Sequence, residues 1–144
     1  MDKRQAKVEF SEYDFLALLL AVKKDAGENP IVNITELEEE LFPFATNEEY
    51  KDLFEDIIVR DNLDKKYVYF RNSIVKGAVT GMLTIIMDSG DDYKIINNLD
   101  EDESKLIIKD STDMASKMKC ILLSISANDK TNKKYGLKPK KENN

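Results

Sequence analysis

Apolar residues along this chain come in bursts, and the spacing within each burst predicts an element. Phe15, Leu16, Leu18, Leu19, Leu20 and Val22 leave few polar positions on any side. A helix that is apolar nearly all round is buried centrally, so this burst predicts the core helix. Ser11 followed by Asp14 supplies its N-terminal cap, and Gly27 its stop. Asn29-Pro30 then breaks the chain, and Ile31, Val32 and Ile34 predict a short strand. Thr35 with Glu38 has the spacing of a capping box and opens a brief helix that Pro43 ends. Thr46 with Glu49 repeats that signature. Tyr50, Leu53, Phe54, Ile57 and Ile58 fall on one helical face, which predicts a third helix over 47–59.

The segment 62–71 reads two ways, with Tyr67-Val68-Tyr69-Phe70 either a strand or the lead into another helix. From Asn72 onward Ile74, Val75, Ala78, Val79, Met82 and Leu83 recur in pairs four apart, which is helical periodicity. Gly77 and Gly81 lie on an adjacent line of that helix. Two glycines four apart weaken a helix unless a neighbour packs close to them, so close packing is expected there, by default against the 15–22 helix. Thr84-Ile85-Ile86-Met87, the turn Ser89-Gly90-Asp91-Asp92 and the stretch from Tyr93 to Ile96 predict a β-hairpin. Asp100 with Glu103 caps a helix carrying Leu106, Ile107 and Ile108. Ser111 or Thr112 caps a last one, with Met114, Met118, Ile121, Leu122 and Ile125 on its apolar stripe.

Together these elements give an α+β chain, mostly helical, with about five to six helices and one β-hairpin. Their order resembles winged-helix connectivity: a long helix, a short strand, two helices and a two-stranded wing. An extra helix before the hairpin departs from it. A chain of 144 residues fits one domain. Apolar residues almost vanish after Asn128, so a single globular domain over 1–128 and a disordered basic tail over 129–144 are expected.

Charge sharpens that division. Up to Asn128 there are 16 Lys+Arg against 26 Asp+Glu, and from Asp129 on there are 6 against 2, within a net charge of −6. A pI near 4.8 argues against general affinity for nucleic acid or anionic membranes, because phosphate binding relies on dense Lys and Arg. The tail escapes that argument. The longest apolar stretches are 15–22, too short to span a bilayer, and 74–87, which carries Lys76, so no membrane partner is expected. The first ten residues lack the features of a signal peptide, and Cys120 permits no intrachain disulfide. A cytoplasmic location is the expectation.

Candidate chemistry is sparse. The absence of histidine removes histidine-based triads and histidine metal sites together. Carboxylates cluster at Glu38, Glu39 and Glu40, at Asp91 and Asp92, and from Asp100 to Glu103, where a solvated face, a turn and a helix start already account for them. Counted from Asp88, glycine falls third and Leu99 twelfth, which is not the calcium-loop pattern. The stretch 77–81 matches neither a P-loop nor a dinucleotide fingerprint. Cys120 has no histidine to activate it. No catalytic residue, cofactor or metal is expected.

What remains points to macromolecular partners. The predicted 47–59 helix carries Glu48, Glu49, Asp52, Glu55 and Asp56 against Lys51, and in winged-helix order it occupies the recognition position. Such a surface repels phosphates, whereas recognition helices carry Arg, Lys, Asn or Gln. The leading expectation is a non-enzymatic cytoplasmic interaction or regulatory protein, acting through acidic helical surfaces at 36–40 and 48–56 on a protein partner. The alternative is a winged-helix-like DNA-binding transcriptional regulator that docks outside the acidic helix. It would use Lys65, Lys66, Arg71 and Lys76 with Lys133, Lys134, Lys138, Lys140 and Lys141 of the tail, the latter also a candidate nucleic-acid contact. The sequence leaves the partner and the oligomeric state open.

Overall fold

The structure, a computed structural model, describes residues 10–89 and 91–134, with side chains as far as Asp129. Helix α1 (Glu12–Asp25) is the hub that the first apolar burst predicts, with Phe15, Leu16, Leu18, Leu19, Leu20, Ala21 and Val22 buried. Its capping box closes as the sequence implies: the Asp14 N–H donates to Ser11 Oγ at 3.0 Å, and the Ser11 N–H to Asp14 Oδ2 at 3.1 Å. Gly27, at φ +73°, follows the helix end, a left-handed position that glycine adopts without strain.

Strand β1 (Ile31–Asn33) stops one residue before Ile34, which begins α2 (Ile34–Ala45). The cap of α2 is Asn33, whose Oδ1 accepts from the Glu36 N–H at 3.0 Å, and not Thr35. Thr35 and Glu38, the expected capping pair, are buried instead. Pro43 does not end α2. Within its last turn a proline forfeits only one backbone donor, and the helix closes at Thr46, whose hydroxyl lies 3.2 Å from the Pro43 carbonyl.

The largest departure from the sequence reading follows. Residues 47–59 form no α-helix. A 3₁₀ turn at Glu48–Tyr50, capped by Asn47, leads into successive turns whose backbone bonds span three residues: Leu53 N–H to Tyr50 O, Phe54 to Lys51, Ile57 to Phe54. Spacing by three and four places Leu53, Phe54 and Ile57 inward just as an α-helix would, so periodicity cannot separate the two. The β-branched run Ile57-Ile58-Val59 then favours extension. Strand β2 (Ile58–Asp61) pairs antiparallel with β3 (Lys66–Tyr69), with Val59 opposite Val68 and Asp61 opposite Lys66. Within the ambiguous 62–71 segment, residues 66–69 are therefore strand, and the described residues hold two hairpins rather than one.

Helix α3 (Arg71–Thr80) leads to β4 (Leu83–Ser89) and β5 (Asp92–Asn97), the hairpin the sequence predicts, with a bulge between Ile85 and Met87. β1 adds to the other edge of β5, giving the sheet order β1-β5-β4. Of the two glycines in the α3 region, only Gly77 is a close approach. A Cβ there would sit 2.9 Å from Leu83 Cδ2, so the packing partner is the start of β4 and not α1. Gly81 meets nothing and is required for its φ of +86° at the end of α3.

Helix α4 (Glu101–Asp110) opens with the expected capping box of Asp100 and Glu103. Its one buried residue, Ser104, is small enough to let the helix approach its neighbours, and its hydroxyl has no hydrogen-bond partner among the described residues. Helix α5 (Thr112–Lys134) buries Ala115, Met118, Ile121 and Leu122 and runs past the expected boundary at 128. Asn97 ties the sheet to α1: its Nδ2 donates to the Leu20 carbonyl at 2.8 Å, and its Oδ1 accepts from the Leu99 N–H at 3.1 Å. The protein is thus α+β, with five α-helices, a three-stranded antiparallel sheet and a separate two-stranded hairpin among the described residues.

Candidate interaction surfaces

The acidic residues singled out from sequence stand on the 3₁₀ turn and the turns after it. Leu53, Phe54 and Ile57 pull that segment against the core, which leaves Glu48, Glu49, Asp52, Glu55 and Asp56 all exposed. Glu48 meets Lys51 at 3.2 Å and Asp52 meets Lys117 at 3.7 Å. Asp56 has a structural task, because its Oδ2 accepts from the Glu12 N–H at 2.8 Å and so caps α1. The carboxylates of Glu49 and Glu55 meet no cation among the described residues. The structure therefore assembles an acidic shoulder from turns where a helix was expected.

The basic residues of the alternative reading are not brought together. Lys65 lies 3.8 Å from Glu39 and over the Tyr67 ring, and Lys66 lies 3.0 Å from Asp61. Lys76 sits over the Tyr13 ring at 5.1 Å and has no ion pair among the described residues. Arg71 faces inward. Its Nη2 donates to Glu38 Oε1 at 2.8 Å and its Nε to both oxygens at 3.2 Å, while the Tyr93 and Tyr69 rings flank the guanidinium at 4.7 and 5.9 Å. Thr35 completes the cluster, accepting from Arg71 Nη2 at 3.3 Å and from the Tyr93 N–H at 3.1 Å. Burial pushes the Glu38 carboxyl above its ordinary value, and Arg71 only partly offsets that. Burial also works against the Arg71 charge, but Glu38 outweighs it and holds Arg71 above its ordinary value. No sequence signal marked this cluster; the Thr35–Glu38 spacing was visible and suggested a cap. Lys133 and Lys134 lie in the last turn of α5, and their side chains, with Lys138, Lys140 and Lys141, fall outside the described residues.

A second acidic locus takes Glu36 and Glu40 from the 36–40 surface expected from sequence, but the cleft they line was not anticipated. A cleft of about 260 Å³ lies between the end of α1, β1, α2 and the later part of α5. Val32, Leu37, Leu122 and Ile125 form its apolar lining, and Glu28, Glu36, Glu40 and Asp129 face it along with Lys23. Burial, then the charges of Asp129 and Glu36, push the Glu40 carboxyl from 4.5 up to about 7. Such a group exchanges its proton near neutrality and favours a cation beside it.

The Glu40 shift has a consequence for stability. A carboxyl with a folded-state pKa raised above its unfolded value disfavours folding once ionised. That cost is absent below pH 4.5 and complete above about pH 7. After discounting for partial solvent exposure, Glu40→Gln is expected to stabilise the protein by about 1–2 kcal/mol at pH 8 and by almost nothing at pH 4.5. Urea midpoints at the two pH values measure this, and equal shifts at both would contradict it.

Among the described residues no three His, Cys, Asp or Glu side chains gather into a metal site, and no helix is long and apolar enough to cross a membrane. In comparisons with protein-family models, curated proteins and solved structures, nothing matches this chain. The site must therefore be read from its own chemistry.

Proposed function

We propose that this chain is a non-enzymatic interaction protein of the cytoplasm, regulatory in role, that engages a basic protein partner through the acidic shoulder from Glu48 to Asp56. The observation that carries this reading is the exposure of five carboxylates within nine residues, three of them without a cation among the described residues. Individual exposed ion pairs contribute only about 0.2–1 kcal/mol, so the shoulder supplies steering and register while adjoining apolar surface supplies affinity.

The element order is compatible with a winged-helix-like scaffold that carries a hairpin insertion. With no α-helix at 47–59, the order is α1, β1, α2, the β2–β3 hairpin, α3 and the β4–β5 hairpin. Helix α3 then takes the recognition position. Its exposed positions are Asn72, Val75, Lys76, Val79 and Thr80, with Arg71 turned inward, while the wing carries Asp88, Asp91 and Asp92. Apolar residues on the helix and acids on the wing favour a protein over phosphates on this scaffold.

Two measurements separate this reading from the DNA-binding one. Crosslinking in the protein's own cell should recover a partner with a basic surface. Its yield should fall at raised salt and with Glu49→Lys/Asp52→Lys/Glu55→Lys. Labelled duplex DNA titrated with the full chain should show, at most, weak and sequence-independent binding. Sequence-preferring DNA binding that the triple variant leaves unchanged would replace the protein-partner reading.

A further inference from the structure

The β1-β5-β4 sheet has a second face, opposite the core. Along β5 the residues alternate: Tyr93, Ile95 and Asn97 are buried, while Asp92, Lys94 and Ile96 are half-buried on the other side. The register carries that outer face across the sheet. Ile96 lies between Ile31 of β1 and Thr84 of β4, and Lys94 lies between Asn33 and Met87. The bulge in β4 inserts Ile86 beside Met87. An antiparallel sheet with one solvated face ordinarily turns polar residues outward. Here Ile31, Ile86 and Met87 stand 51%, 44% and 43% exposed. We propose that a second copy of this chain packs face to face on this outer side of the sheet.

Charge selects a copy over a foreign partner. The charged side chains that β5 directs onto this face are one of each sign, Asp92 and Lys94, which lie 3.6 Å apart. Such a face draws neither a basic nor an acidic surface strongly, but it is complementary to itself. Sheets packed in the aligned manner keep their strands within about 30° of each other. Turned over about a two-fold axis along β5, the face lays β4 of one copy over β1 of the other. Ile86 and Met87 then lie against the partner's Ile31, and Ile96 meets the partner's Ile96. Two residues along a strand span about 7 Å, so the long Lys94 side chain can lean to the partner's Asp92. The face measures about 14 Å across its three strands and about 20 Å along β5. That is well below the roughly 800 Å² a side of a standard interface, so the dimer is a weak one, forming near about 0.1 mM. The face shares no residue with the acidic shoulder.

Sedimentation equilibrium of the full chain, with reductant to keep Cys120 a thiol, tests this over about 10 µM to 1 mM, which brackets that affinity. The average mass should climb from 16.5 kDa toward twice that value. Methyl signals of Ile31, Ile86, Met87 and Ile96 should move with concentration, while those of Val75 and Val79 stay still. Asp92→Lys makes the β5 charges on this face both positive, and Lys94→Glu makes them both negative. Each variant alone should therefore associate about tenfold more weakly, because like charges then meet across the two-fold. Mixed in equal amounts they should associate again, which an ion pair confined to one chain cannot produce. Ile86→Thr keeps a β-branched residue in the strand, so it should weaken association with the urea midpoint unchanged. A mass that stays at 16.5 kDa throughout overturns the proposal. So does self-association of both charge variants at the parent's strength, or a mixture that fails to recover. Shifts centred on Val75 and Val79 overturn it too, by moving the contact to α3.

Discussion

Arg71→Ala should destabilise the protein by about 3–5 kcal/mol at neutral pH, the range for removing one partner of a buried ion pair. Glu38 is 2% exposed, and Arg71 supplies its ion pair and three of its hydrogen-bond contacts. Without the guanidinium, the carboxylate stays buried with the Phe70 backbone hydrogen bond and the more distant charge of Lys65 to favour ionisation. It will then take up a proton more readily. A carboxyl raised in the folded state weakens folding as pH climbs through its folded pKa, so the deficit should shrink as pH falls toward 4.5. Urea unfolding at pH 5 and pH 8 reads both effects. Glu38→Leu/Arg71→Met should recover most of the loss, because apolar groups of similar volume replace buried ion pairs at little cost. A deficit below about 1 kcal/mol would show that the pair is solvated and free to open. That outcome would also release Arg71 for contact with a partner, which its inward geometry forbids.

Phe15→Ala should cost a similar amount, about 3–5 kcal/mol, for a different reason. Phe15 is fully buried, with its ring 5.1 Å from Phe54 and 5.6 Å from Phe70. It joins α1 to the turn segment on one side and to the start of α3 on the other. A cavity here therefore removes aromatic contacts worth about 0.5–1.5 kcal/mol per pair beyond the area lost. The turns at 51–57 have only three-residue backbone bonds and depend on this packing for their shape. Amide exchange at Leu53, Phe54 and Ile57 should accelerate more than global destabilisation explains, and the acidic shoulder should loosen with it. Leu123→Ala, at a side chain 60% exposed, is the control and should change stability by less than about 0.5 kcal/mol. Uniform acceleration across the chain would show that the shoulder folds independently of Phe15.

Local signals were legible where local bonds decide. The capping boxes at Ser11–Asp14 and Asp100–Glu103 close as the spacing implies, and the β4–β5 hairpin forms where its turn residues stand. The stripe through Met118, Ile121 and Leu122 packs inward as α5. Failures came where two structures share one pattern. Leu53, Phe54 and Ile57 suit an α-helix and a coil of tighter turns equally well, and Thr35 with Glu38 looks like a cap until Arg71 arrives from 33 residues further along. Pro43 near the end of α2 does not act as a stop because the proline forfeits a single bond there. The five acidic residues were found in sequence, but their support was wrong. Glu36 and Glu40 were part of the expected 36–40 surface, but the cleft was missed because Glu28 and Asp129 reach it from other parts of the chain.

By itself, the sequence determined the central helix, the caps at Ser11 and Asp100, the β4–β5 hairpin and the acidic balance, since each rests on contacts within a few residues or on composition. Tertiary structure alone decided that 58–61 pairs with 66–69 and that Arg71 turns inward to Glu38. It also decided that Glu40 meets Asp129 across a cleft. Those outcomes depend on which distant groups share a low-dielectric space. The free energy of a buried charge is set by its neighbours in that space and not by its neighbours in the chain.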